Sequence, residues 1–429
     1  MLLKFGSFPI VVGSFLDAAK IFLKKMDLTF ALRPKTFSSS RGFDVGGQAR
    51  ETRGQSVYSD MYGGTESSAV TVEWAMSELR LESYEYIRAE EMGSLVKEIF
   101  GFSGRAFSVK DSLSTLSLNV ICRMVLGRRY MDGGGVAVEE FKEMLDELFL
   151  LTGVLNVGDM IPCINFLDLQ GYVKRMKVLS EKFDRFLENV LDEHEARRRE
   201  TTGYASRDMV DVLLELAEDP MLDVKLERHG VKAFTQNIKS RRFVSGWDRE
   251  FICGSGVGDV GIIEKPEILK KATDELDQVI GKNRWVMEKD IPSLPYVKAV
   301  VKETMRLHPV APMLSPRLAR EDYPLLWENP NEFNPDRFIG KDIDVKGQDF
   351  ELLPFGSGRR MCPGYPLGLK VIQSSLANLL HGFNWSLPDE MKPEELNMDE
   401  IYGLSTPRKF PLVTVAEPRL PLDLYNSMI

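Results

Sequence analysis

The sequence at residues 355–364 is FGSGRRMCPG, a glycine-rich loop that presents one cysteine, Cys362, directly before a proline. Glycine tolerates positive φ angles and lets a flat ligand approach the backbone closely, and Pro363 suits the first position of a helix. A helix that begins there directs its positive dipole end toward the sulfur, and Arg360 adds positive charge. Both effects favour the thiolate, the form of cysteine that binds a soft or redox-active metal ion. The alternative is a buried cysteine beside a tight turn.

The composition sets limits on the class of protein. The chain has 429 residues, 43% hydrophobic and 28% charged, which excludes a disordered, collagen-like or coiled-coil chain. Its 55 Lys and Arg against 64 Asp and Glu give a net charge of −9, which argues against a nucleic-acid partner. Four cysteines lie far apart without a CxxC pair, which excludes a disulfide framework and a zinc site. They are Cys122, Cys163, Cys253 and Cys362.

The sequence predicts no membrane anchor, because no run of 18 apolar residues is present. Residues 1–12 are apolar but interrupted by Lys4, Gly6 and Pro9, which predicts two short strands rather than a signal peptide. Helical spacing dominates elsewhere, so the expected fold is mainly α with a minor β part from the N-terminus and the C-terminal tail. The predicted helices cover 16–32, 109–125, 138–150, 172–199, 208–217, 266–280, 294–307 and 368–381.

Two further motifs stand upstream of the cysteine loop. Glu303 and Arg306 form an E-x-x-R pair on one helix face, and residues 333–338, FNPDRF, contribute Arg337. An E-x-x-R alone is expected about once by chance and is usually a surface ion pair. Together with the loop pattern F-x-x-G-x-R-x-C-x-G, however, the chain resembles a plant cytochrome P450 of the microsomal A-type class, in which the two arginines and the glutamate form a structural triad.

The resemblance extends over residues 3–35, 81–236 and 265–429 and is strongest to flavonoid 3′-hydroxylase-like and trimethyltridecatetraene synthase-like members. It implies the cytochrome P450 fold and a bound haem b, with Cys362 as the iron ligand. Arg317 stands where the family often places a partner for a haem propionate, although an exposed loop arginine is an equal alternative. The haem-binding residues implied by the match are Phe355, Gly358, Arg360, Cys362, Gly364 and Arg317.

The implied function is monooxygenation of a small apolar plant metabolite, phenolic or terpenoid, with O₂ and electrons from NADPH-cytochrome P450 reductase. The implied location is the cytosolic face of the endoplasmic reticulum membrane. The reductase would meet a basic surface at Arg359, Arg360 and Lys370. Two apolar loops are expected to line the substrate pocket, at residues 311–313 and 404–405.

The chain departs from the family pattern at several places. A block that resembles the family's distal-helix motif lies at 63–75, where Glu66 and Ser67 would assist proton delivery, but the family places it after residue 236. Residues 237–264 stand there instead, a W-x-x-x-R element is missing from 36–80, and a strand pair is missing after Asp322. We therefore expect one incomplete domain over 1–429, with segments 1–35, 36–80, 81–236, 237–264 and 265–429. The alternative interpretation of the 63–75 block is an ordinary core or surface helix without a role in proton delivery.

Two explanations of these departures remain open. The chain is either a rearranged protein or a misassembled or pseudogene-derived remnant that binds haem weakly or not at all. In both cases the displaced motif predicts low stability and slow turnover.

Residues 256–261 also match a G-x-G-x-x-G dinucleotide fingerprint. That motif should follow a hydrophobic strand and open a helix, and residues 251–253 are too short for such a strand.

Overall fold

The computed structural model describes residues 2–5, 8–11, 20, 24, 78–129, 136–154, 156–157, 161–200, 208–218, 228–237, 265–309, 327–358, 361–362, 364–392, 395–397, 399, 401 and 408–427. Helices dominate these ranges, which confirms the expected mainly α fold. The α-helices are α1 (Glu78–Ser83), α2 (Glu85–Gly101), α3 (Val109–Leu126), α4 (Val136–Gly153), α5 (Tyr172–Glu200), α6 (Met209–Glu218), α7 (Arg228–Asn237), α8 (Pro266–Val279), α9 (Pro295–Leu307), α10 (Tyr365–Gly382) and α11 (Leu422–Ser427).

The helix boundaries follow ordinary start and stop signals. Pro266 and Pro295 occupy the first positions of α8 and α9, where a missing N–H costs nothing. Helix α3 ends at Gly127, whose φ of 70° is the left-handed conformation that glycine adopts most readily. Seven of the eight predicted helices are confirmed within three residues at each end, and the prediction over 16–32 lies largely outside the described residues.

Two small antiparallel sheets make up the described β structure. The first pairs β1 (Leu2–Phe5) with β2 (Phe8–Val11), which confirms the predicted N-terminal strands. The second has the order β3, β5, β4, with β5 (Val413–Pro418) between β3 (Ala106–Ser108) and β4 (Phe383–Ser386). Strand β3 was not predicted, because three residues are too few to show an alternating pattern.

The core that supports the candidate site lies between α8, α9 and α10. Val297 and Val300 of α9 are fully buried, as are Leu276 of α8 and Ala377 of α10. A short 3₁₀ helix, Pro335–Phe338, packs on α9 and connects the triad motif to the cysteine loop. None of the described helices is long and apolar enough to cross a membrane.

Candidate functional site

The cysteine loop is closed by hydrogen bonds of its own backbone. The Cys362 N–H donates to the Phe355 carbonyl at 2.9 Å, and the Met361 N–H donates to the Gly358 carbonyl at 3.0 Å. Gly356 and Gly358 have φ angles of 75° and 70°, which confirms that the loop needs glycine at both positions. The loop therefore presents Cys362 from a fixed backbone shape.

Helix α10 follows the cysteine directly. The Tyr365 N–H donates to the Cys362 carbonyl at 3.3 Å, and Gly364 is the N-cap of the helix. The buried Phe355 ring and the half-buried Tyr365 ring meet edge to face at 5.7 Å, so an aromatic contact joins the two ends of the loop. Cys362 itself is half-buried. The cysteine thus precedes a helix N-terminus, whose partial positive charge favours an anion nearby.

The E-x-x-R pair and Arg337 meet around one buried carboxylate. Glu303 is completely buried and accepts two hydrogen bonds from Arg306, at 2.7 and 3.0 Å. Arg337 Nε donates to the same carboxylate at 3.0 Å, and the Asn334 N–H donates to it at 2.7 Å. The three side chains therefore form a single hydrogen-bonded network that fastens α9 to the segment after Trp327.

The two guanidinium groups also donate hydrogen bonds to backbone carbonyls. Arg306 donates to the carbonyls of Pro330 and Glu332, at 2.7 and 3.2 Å. Arg337 donates to the carbonyls of Glu328, Asn329 and Glu332 at 2.9, 3.3 and 3.1 Å. Because a buried ion pair is stabilising only when its remaining donors are paired, these carbonyls explain how a network of two cations and one anion is tolerated.

Trp327 covers this network, and the sequence did not single it out. Its ring centre lies 5.7 Å from the Arg306 guanidinium and 5.8 Å from that of Arg337, within the range of cation–π attraction. Its ring also contacts Phe338 at 5.4 Å. Trp327 follows the expected gap after Asp322 in a stretch without helical or strand periodicity, so no local pattern indicates its role.

Several predicted site residues lie outside the described residues. They include the loop arginine, the predicted propionate partner, the displaced distal motif and both apolar pocket loops. These are Arg360, Arg317, Glu66, Ser67, Ala311, Pro312, Met313, Leu404 and Ser405, together with Arg359, Pro363 and residues 256–261. Among the predicted residues, the structure brings together Phe355, Gly358, Cys362 and Gly364 in the loop, and Glu303, Arg306 and Arg337 in the network.

Lys370, expected on a basic surface, forms an ion pair. Its Nζ lies 3.4 Å from Glu288 Oε2, and the same carboxylate also binds Arg88. Two cations thus share one anion near the start of α10. The pair neutralises part of the positive charge that the sequence predicted at this surface.

A second polar cluster lies away from the cysteine loop. His194, Asp208 and Asp211 each offer one atom that could bind a metal ion, and these three atoms all lie within 4.8 Å of one another. The Asp208 carboxylate is 3.0 Å from His194 Nε2, and Nδ1 of the same ring faces the Val190 carbonyl at 2.7 Å. Arg197 already places a guanidinium nitrogen 3.1 Å from Nε2. The cluster thus has its own cation, and we interpret it as a structural ion network.

Known proteins resemble this chain along most of its length. The Cytochrome P450 family model matches residues 2–239, 260–325 and 324–415, with breaks after 239 and at 324–325. The chain is 40% identical over 483 residues to trimethyltridecatetraene synthase of Zea mays, covering 100% of this chain and 83% of that protein. It is 36% identical over 464 residues to flavonoid 3′,5′-hydroxylase 2 of Petunia hybrida, covering 100% and 87%.

The fold of the chain also matches that of solved cytochrome P450 structures. A zebra fish cytochrome P450 solved with abiraterone superposes with a TM-score of 0.71 at 22% identity, covering 98% of this chain and 95% of that one. At this low identity the match concerns the fold alone, whereas the family model and the plant relatives concern the sequence. The chain therefore belongs to the cytochrome P450 family, the haem-thiolate monooxygenases.

Proposed function

We propose that this chain oxidises a small apolar plant metabolite, phenolic or terpenoid, with O₂ and with electrons from NADPH-cytochrome P450 reductase. The observation that supports the proposal most directly is the closed glycine loop that ends in half-buried Cys362 at the N-terminus of α10. Haem, when bound, supplies the activation of O₂. The proposal takes residues 1–429 as one domain.

The described residues fit a haem held by a thiolate. Cys362 is half-buried, and it is held in a loop whose positive φ angles at Gly356 and Gly358 favour glycine, a residue without a β-carbon that lets a flat group approach the backbone closely. In this proposal Cys362 would hold the haem iron through its thiolate, the ligand with which a bound haem can supply O₂ activation. Phe355, Gly358 and Gly364 shape the loop.

Two arginines would contribute to the haem site. Arg317 stands where the family often places a partner for a haem propionate, and a guanidinium can bind a carboxylate through two parallel hydrogen bonds. Arg360 belongs to the loop motif and would add positive charge beside the cysteine. Glu303, Arg306 and Arg337 have a different task in the proposal, because their donors and acceptors are already occupied by one another and by carbonyls. They hold the fold around the site and do not touch the substrate.

The names of the relatives support the proposed substrate class. Trimethyltridecatetraene synthase and dimethylnonatriene synthase of Zea mays are named for hydrocarbon products, and the Petunia hybrida relative is named for a flavonoid. Identity of 36–40% supports an apolar ligand of one of these two kinds. The apolar loops at 311–313 and 404–405 are the proposed contacts.

Glu66 and Ser67 are the proposed proton-delivery residues. An acid and a neighbouring hydroxyl can pass protons from solvent into a closed site. The variants Glu66→Gln and Ser67→Ala should lower product formed per NADPH consumed while leaving haem content unchanged. Unchanged coupling in both variants would assign the 63–75 block to packing instead.

The reductase and the location complete the proposal. A basic surface at Lys370, Arg359 and Arg360 would attract the acidic face of a reductase, and a reductase of this kind places the chain at the cytosolic face of the endoplasmic reticulum membrane. The proposed docking surface can be tested with Lys370→Glu, which should raise the reductase concentration needed for half-maximal turnover.

Turnover with a competent plant reductase tests the function itself. The full chain should convert a member of a panel of terpenoid alcohols and flavonoids, with NADPH and O₂ both required, and Cys362→Ala should form no product. Cys163→Ala is the matched control, because Cys163 is exposed and is not in the loop. A folded, haem-loaded wild-type chain that forms no product over the panel would refute the proposal in favour of a non-catalytic remnant.

A further inference from the structure

A turn at residues 343–347, upstream of the cysteine loop, packs against the loop. In this turn the Asp344 N–H donates to Asp349 Oδ2 at 2.8 Å, and the Lys346 N–H donates to Asp344 Oδ1 at 2.8 Å. Val345 is buried to 3% exposure, which anchors the turn in the core. Gly347 then adopts a φ of 78°, so the chain reverses toward the loop.

The turn and the loop meet through a buried hydroxyl. Ser357 stands between the two positive-φ glycines of the loop and is 7% exposed. Its Oγ donates to the Gly347 carbonyl at 2.6 Å. Because the bond is shielded from water, breaking it leaves a buried carbonyl without that donor, which costs more than the loss of an exposed hydrogen bond.

The backbones also touch directly. A β-carbon added at Gly347 would lie 2.8 Å from the Gly356 carbonyl oxygen, 3.1 Å from the Ser357 α-carbon and 3.2 Å from Met361 Sδ. The first two contacts lie at the start of the loop, and the third lies on the residue that precedes Cys362. The turn therefore contacts both the start of the loop and the residue before Cys362.

The other end of the turn is held by the helix of the triad. Lys302 Nζ donates to the Ile343 carbonyl, and its ammonium lies 6.0 Å from the centre of the Phe338 ring. Lys302 is the residue immediately before Glu303 in α9. A continuous set of contacts thus runs from α9 through residues 343–347 to Ser357.

We propose that Gly347 and Ser357 are positioning residues that hold the loop in the shape that presents Cys362 to haem. Gly347 contributes the close approach and the acceptor, and Ser357 contributes the donor. Their role toward haem rests on the proposed function, whereas their effect on the loop does not. Loss of either should loosen the hydrogen bond between Cys362 and Phe355 and let the thiolate leave the iron more often.

The experiment uses Ser357→Ala and Gly347→Ala in the full chain with two matched controls. Ser112→Ala removes another buried hydroxyl, one that donates to Glu98 Oε1 at 2.9 Å far from the loop in sequence. Gly340→Ala places a side chain at a similar φ of 72°, but a β-carbon there has no atom within 4 Å among the described residues. The controls separate strain and general destabilisation from the effect on the loop.

Two measurements decide the outcome. In the chain without haem, hydrogen exchange at the Met361 and Cys362 amides should be about fivefold faster in Ser357→Ala and faster still in Gly347→Ala. In the haem-loaded, reduced, carbon monoxide-bound protein, the thiolate-type band should decay about fivefold faster in Ser357→Ala. Both controls should match the wild type in both measurements.

Wild-type exchange and decay in Ser357→Ala would overturn the proposal, as would equal changes in Ser112→Ala. A wild-type chain that takes up no haem would overturn the proposed function, and the exchange measurement would still decide whether Gly347 and Ser357 hold the loop. If Gly347→Ala fails to fold, Ser357→Ala and its control decide the result alone.

Discussion

The ring of Trp327 lies over two guanidinium groups at once, 5.7 Å from Arg306 and 5.8 Å from Arg337. Both cations bind the same buried carboxylate, Glu303. The ring offsets part of the excess positive charge, since its face is electron-rich. A single tryptophan thus stabilises the network that fastens α9 to the 3₁₀ helix Pro335–Phe338.

The first prediction concerns this ring. Trp327→Leu should lower the free energy of unfolding by about 2 kcal/mol, because two cation–π contacts are lost, and Trp327→Phe should lower it by about half as much. Urea denaturation followed by circular dichroism measures both. Equal losses in the two variants would show that the ring contributes through apolar burial and not through its attraction for the arginines.

The second prediction concerns the carboxylate. Glu303→Gln should destabilise the protein by about 3–5 kcal/mol, because two buried cations then lack their anion. Glu267→Gln, at an exposed position in the first turn of α8, is the control and should change stability by at most about 0.5 kcal/mol. A Glu303→Gln variant as stable as this control would mean that the network does not brace the fold.

The third prediction concerns pH. Burial lowers the pKa of His194, but the hydrogen bond and charge of Asp208, with the Val190 carbonyl, outweigh burial and raise the pKa above its usual value. The stabilising contribution of His194 is therefore complete below about pH 6.5 and is lost as pH rises through the raised pKa. The stability difference between wild type and His194→Gln should shrink accordingly as the pH rises above about 6.5.

The comparison with the variant is necessary because other histidines act in the opposite direction. Burial lowers the pKa of both His308 and His381, so their effect is a loss of stability as pH falls through about 6.5. Subtracting the His194→Gln profile from the wild-type profile removes their contribution. A difference that is flat across this pH range would contradict the assignment of a charged His194–Asp208 pair.

The fourth prediction concerns close packing at the end of α10. A β-carbon at Gly382 would lie 2.5 Å from the Trp285 ring, and the Gly382 carbonyl accepts hydrogen bonds from the Tyr425 hydroxyl and the Arg419 N–H. Gly382→Ala should therefore cost about 1–3 kcal/mol of stability through overpacking. Gly101→Ala is the control, because no atom of the described residues lies within 4 Å of a β-carbon added there. Calorimetric melting that shows equal shifts in both variants would contradict the packing argument.

Periodicity and local signals predicted much of the described fold. The helices were found because their apolar residues recur at helical spacing, and their ends were placed by proline and glycine. Helix α10 begins at Tyr365 rather than at Gly368, because Pro366 is tolerated in the first turn of a helix. Strand β3 was missed because its pairing with β5 depends on residues more than three hundred positions away.

The site was predictable where a motif is contiguous and not where contacts join irregular segments. The loop around Cys362 and the Glu303–Arg306 pair follow from short patterns. The hydrogen bond from Ser357 to Gly347 joins two turns ten residues apart, and no sequence period indicates such a contact. The same is true of Trp327, whose position over the two arginines depends on how the chain folds back onto α9.

A carbon monoxide difference spectrum of the reduced protein tests whether Cys362 holds the haem iron as a thiolate. We expect a thiolate-type band for the full chain, no such band for Cys362→Ala, and an unchanged band for Cys163→Ala. A thiolate-type band that survives in Cys362→Ala would refute this role of Cys362, as would a folded wild-type chain that shows no such band after incubation with haem.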